Sequence, residues 1–109
     1  MFRMAGDTPL PQAVMRATEA IALARARGIR KLLLVTNTLT GFKSPSVLQR
    51  YQMVHEWAAA ADGVVRVALV TRQEMIDPSK FGITVATNIG FIADVFSDEA
   101  EALAWLARQ

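Results

Sequence analysis

Residues 31–36 read Lys31-Leu32-Leu33-Leu34-Val35-Thr36. Four apolar positions in succession, without alternation, suit a strand whose sheet is covered on both faces, the arrangement typical of parallel sheets in α/β folds. A strand with one wet face would alternate instead. A second run, Val64-Val65-Arg66-Val67-Ala68-Leu69-Val70, is apolar and rich in β-branched residues, and is expected beside the first at the centre of the sheet.

Parallel neighbours need a crossover between them, and the intervening sequence has helical character. Val47 to Ala61 places Val47, Tyr51, Val54, Ala58 and Ala61 on one stripe and stops before Asp62-Gly63. Upstream, Leu10 to Arg27 sets Val14, Ala17, Ile21 and Ala24 at helical spacing and ends at Gly28. Downstream, Asp77-Pro78 is a helix entry, predicting a helix from Pro78 to about Asn88 that Gly90 ends. Phe91 to Phe96 reads as a shorter strand. Ser97-Asp98-Glu99 then opens a last helix with Ala100, Leu103, Ala104 and Ala107 inward. The fold expected is a single small α/β domain with a mostly parallel sheet of three or four strands flanked by four helices. Its core should hold Leu33, Val35, Val67, Leu69, Val85, Phe96, Leu103 and Leu106.

Composition agrees with a folded domain: 109 residues, 52% hydrophobic and 20% charged. The chain has no Cys and a single His, His55, so a disulfide framework, a thiolate nucleophile and an ordinary zinc site are excluded. No metal or other cofactor is expected. Residues 1–54 carry eight basic and two acidic side chains, and residues 55–109 four and eight. That polarity suggests nucleic acid only faintly, because the aromatic residues that would stack on bases sit at core-like positions, so no nucleic-acid partner is expected. No apolar run reaches the length of a membrane span, and the opening Met1 to Gly6 lacks the apolar segment of an export signal. The expectation is a cytoplasmic protein without stable membrane insertion.

In an open parallel sheet the carboxyl ends of the strands are where loops and helix amino termini converge. The loops Thr36 to Ser46, Thr71 to Pro78 and Phe96 to Asp98 would meet at that rim and together bring Thr38, Thr40, Lys43, Ser44, Ser46, Arg72, Glu74 and Asp77 to it. They contain no Gly-rich phosphate cradle, no nucleophile elbow and no carboxylate cluster, so no catalytic residues are assigned and no enzyme is expected. Ser46-Val47-Leu48-Gln49 fits a capping box, which would give one hydroxyl of the Ser44/Ser46 pair a purely structural task. Trp57 and Trp105 should plug helix–sheet interfaces, and His55 should lie on a solvated or half-packed face beside Tyr51.

The stretch Leu32 to Phe42, followed by a Ser-rich helix start, resembles STAS domains, the fold of anti-sigma-factor antagonists. Val95-Phe96-Ser97-Asp98-Glu99-Ala100-Glu101-Ala102-Leu103-Ala104-Trp105-Leu106 is similar to the ending of their SpoIIAA-like branch. This resemblance spans about residues 6 to 107. It implies a non-enzymatic regulatory or protein-interaction module, in some relatives switched by phosphorylation of a Ser at the position of Ser44. Where those relatives carry Asp before that Ser, this chain has Lys43, and Pro45 follows. The branch's looser similarity to lipid-binding CRAL-TRIO domains implies the alternative, a small apolar, lipid-like ligand. Such domains open with two strands before the first helix, and this chain has room for one. The sheet edge so left open suggests a homodimer.

Overall fold

The computed structural model describes residues 1–109. Its elements are β1 (Phe2–Asp7), α1 (Leu10–Ala26), β2 (Lys31–Thr40), α2 (Val47–Ala61), β3 (Arg66–Val70), a single 3-10 turn (Gln73–Met75), α3 (Phe81–Asn88), β4 (Ala93–Phe96) and α4 (Glu99–Ala107). The strands form one sheet in the order β1-β2-β3-β4, every pair parallel. This is the α/β class expected, with four strands.

Strand order dictates the layering. Parallel crossovers are almost always right-handed, so when each new strand is added on the same side of the last, the crossover helices share one face. Accordingly α1 packs on α2 and α2 on α3, while α4, which follows the last strand and crosses over nothing, covers β2, β3 and β4 from the other side. The apolar runs serve both layers by alternation. Leu32, Leu34 and Val67 join Ala17, Ile21, Trp57 and Ala86 in the larger core. Leu33, Val35, Ala68 and Val70 meet Ala102 and Leu106 in the smaller one.

Several boundaries and faces differ from expectation. Strand β2 runs on to Thr40, because β1 pairs with its second half, Ala5 opposite Thr38 and Asp7 opposite Thr40, after a register shift between Arg3 and Ala5. Thr38 and Thr40 are therefore strand residues. Helix α3 begins at Phe81 instead of Pro78, and β4 at Ala93 instead of Phe91. Helix α2 turns Trp57 and Ala61 inward and leaves Val47 and Tyr51 exposed. Its sequence offers two overlapping apolar stripes, and the one bearing the larger Trp57 is buried. Helix α4 likewise turns Ala102 and Leu106 to the sheet and sets Trp105 against Phe96, ring centres 5.9 Å apart, leaving Leu103 51% exposed. Of the expected core, Leu33, Val35, Val67 and Leu106 are buried, whereas Leu69, Val85 and Phe96 are half-buried.

Candidate functional site

Parallel pairing puts all four strand ends, Asp7, Thr40, Val70 and Phe96, along one rim. The uniform strand order contains no reversal, so no crevice opens between crossovers diverging to opposite faces, which is where doubly wound sheets bind ligands. The β1–α1 turn instead clamps the rim: the Thr8 amide donates to Thr40 O at 2.7 Å, and Gly41, with φ +102°, lets the two turns meet.

On the β2–α2 loop, Ser46 is the N-cap of α2. Its Oγ accepts from the Gln49 amide at 3.2 Å, and Gln49 Oε1 accepts from the Ser46 amide at 2.8 Å, the reciprocal box that the sequence predicts. Ser44 is thereby free of capping duty. It is exposed, and its Oγ accepts from Arg50 Nη2 at 2.8 Å. Arg50 also donates from Nε to Pro45 O at 3.0 Å and from Nη2 to Met75 O at 3.2 Å, so one guanidinium fastens the β2–α2 loop to the 3-10 turn. A cation in the first turn of a helix opposes the dipole. That misplacement is the one sequence signal that could have singled out Arg50.

The other expected rim residues disperse. Lys43 is exposed and in no ion pair. Arg72 faces Glu74 at 3.6 Å. Thr38 donates to Met4 O at 3.3 Å, within the β1–β2 ladder, and Thr40 sits at the strand end. Asp77 braces the turn that leads into α3, whose N-cap is Lys80: its Oδ2 accepts from the Phe81 amide at 2.9 Å and from Ser79 Oγ at 2.7 Å. The Phe81 amide first, then the Ser79 hydroxyl, hold its carboxyl below the ordinary 3.8. No three His, Cys, Asp or Glu side chains converge anywhere, and no helix is long and apolar enough to cross a membrane.

Two features at this end of the molecule could engage something else. The first is a surface. Val47 and Leu48, at the start of α2, are 63% and 64% exposed, and Tyr51, 46% exposed, lies one turn further on with its ring 4.4 Å from that of His55. The second is a cavity of about 130 Å³ between the sheet and the layer of α1, α2 and α3, with Leu69, Met53 and Trp57 in its wall and Pro45, Arg50 and Met75 at its rim end. No family model matches the chain, and no curated protein or solved structure matches it.

Proposed function

We propose that the chain is a non-enzymatic regulatory or protein-interaction module of STAS, SpoIIAA-like type, working in the cytoplasm through the start of α2. The observation that carries this reading is the exposure of Val47, Leu48 and Tyr51 on consecutive turns of one helix. An apolar patch rimmed by polar groups is the mark of an interaction surface. Lys43, unpaired beside it, favours a partner that brings an apolar anchor together with acidic side chains. Phosphorylation of Ser44 would add about two negative charges next to Arg50 and Lys43, at a helix amino terminus that tolerates them, and so change the surface without unfolding it. In a pull-down from host lysate, Leu48→Asp and Ser44→Asp are expected to change the captured proteins while the thermal midpoint barely moves. Identical captured sets for wild type and both variants would overturn the proposal.

A homodimer belongs to the same reading. The outer edge of β1 is unpaired and lies beside a groove between Met1, Phe2, Leu23 and Ile29, a place where a second copy can add its own β1 about a twofold. Light scattering at micromolar concentration should give twice 11.9 kDa, and a monomer mass without dilution dependence would refute it.

The cavity favours a second reading, a small apolar ligand-binding domain. Native mass spectrometry of the protein purified from its host would reveal a retained small molecule, and protein free of one on repeated gentle preparation would count against this reading.

A further inference from the structure

Leu69 lies on β3, which is paired on both sides and roofed by helices, yet it is only half-buried. A central strand residue under a helical layer ordinarily loses all its exposure. The space it faces exists because the helices approach the sheet there through small side chains, Ala13 and Ala17 on α1 and Gly82 and Ala86 on α3. Met53 and Met75 stand at its flank and rim, unbranched side chains that repack readily around a guest.

The charged groups along the cavity bear on what it can hold, because each already has a partner within the protein. Arg50 donates to Ser44, Pro45 and Met75. Lys80 is paired with Asp94 at 3.0 Å, and Asp77 accepts from Ser79 Oγ and the Phe81 amide. Thr36 Oγ1 donates to Val70 O at 2.8 Å, and Trp57 Nε1 points to Val14 O at 3.5 Å. A carboxylate or phosphate head group drawn in past the rim would give up its water and compete with these contacts, and a buried charge left unsatisfied is strongly unfavourable, whereas a neutral apolar guest disturbs none of them. Size narrows the guest further. A dry apolar cavity of about 150 Å³ accepts benzene, and this one, open at its rim, measures about 130 Å³, a space that a single ring fills and from which an acyl chain of lipid length would run out into solvent.

We propose that this cavity is a binding site for a compact, neutral, ring-sized apolar molecule, aromatic or alicyclic. The proposal rests on the ligand-binding reading and narrows it. Trp57, in the cavity wall, and Trp105, on the opposite face of the sheet, make it testable by heavy-atom quenching with bromobenzene. In Trp105→Phe, bromobenzene is expected to quench Trp57 saturably, half-maximally at roughly 0.1–1 mM, well inside the ceiling for a ligand of so few atoms. In Trp57→Phe the remaining Trp105 should show only linear collisional quenching. Filling the space with Ile83→Phe, or more gently Val54→Leu, is expected to weaken saturation at least tenfold in whichever variant keeps the native near-ultraviolet circular dichroism. Benzoate should bind at least tenfold more weakly, and decanoate should not displace bromobenzene. Benzoate binding as tightly, or saturation unchanged in a folded filling variant, would overturn the proposal. If decanoate alone bound, the proposal would fall and the broader ligand-binding reading would stand. If no probe saturated, both would fall.

Discussion

Gly41 shows how much one position can decide. A Cβ there would stand 2.7 Å from Thr8 N and 2.9 Å from Thr8 O, both backbone atoms that cannot swing aside, and φ is +102°. Gly41→Ala is expected to lower stability by about 2–4 kcal/mol, from left-handed strain plus the steric shift. Gly82 makes the control: it is helical, and an added Cβ would lie 3.5 Å from Val54 Cγ2, in ordinary contact. Gly82→Ala should therefore raise stability by about 0.4–1 kcal/mol. Urea titrations of the two variants would check both signs. Asp77 makes a prediction in pH. Its carboxyl is held below the ordinary 3.8 in the folded chain, so its contribution is complete above the unfolded pKa and is lost as pH falls through the folded one. Asp77→Asn should lower the thermal midpoint near neutrality, with the gap to wild type closing as pH falls below about 4. A gap constant from neutrality into acid would refute the assignment. Arg50 was harder to see from sequence than either, since its three acceptors come from two loops that only the folded chain brings together.

At the scale of elements, legibility followed continuity. The centres of β2 and β3 were readable because unbroken apolar runs have few other places to go, and the box at Ser46 because its partners lie three residues apart. The second half of β2, Asn37 to Thr40, is mostly polar and becomes strand only because β1 pairs with it. Helix faces were the weakest reading, since α4 carries apolar residues on two stripes and the choice between them rests on contacts with another element. Leu106→Ala is expected to lose about 2–4 kcal/mol, whereas Leu103→Ala should stay within about 0.5 kcal/mol. Equal losses in thermal denaturation would return the inner face to the stripe that the sequence favoured. The cavity was invisible at this scale for a related reason: apolar residues at a helix–sheet interface carry the same pattern whether or not they fill the space between them.

For the whole molecule, the two tryptophans report on opposite layers, Trp57 on the core under α1, α2 and α3 and Trp105 on the core under α4. The layers share β2 and β3, whose alternate side chains point into each, so neither can melt and leave the other intact. Single-tryptophan variants should show coincident urea transitions after correction for their own stability, as a two-state domain of this size requires. An earlier transition at Trp105 would show that α4 is a separable cover. The strand order has a further consequence, for synthesis on the ribosome. Across the sheet Phe2 pairs with Leu34, Leu34 with Leu69 and Leu69 with Val95, so each strand's neighbour is the strand made just before it. A nascent chain can lay down the sheet in order of emergence, with no strand waiting for a partner not yet translated. The face holding Leu33, Val35, Ala68 and Val70 has no such protection, because its cover is α4, which leaves the exit tunnel after all four strands. A premature stop between Phe96 and Glu99 would release a chain in which that face has no cover, and chaperones should capture this truncation more than the full chain.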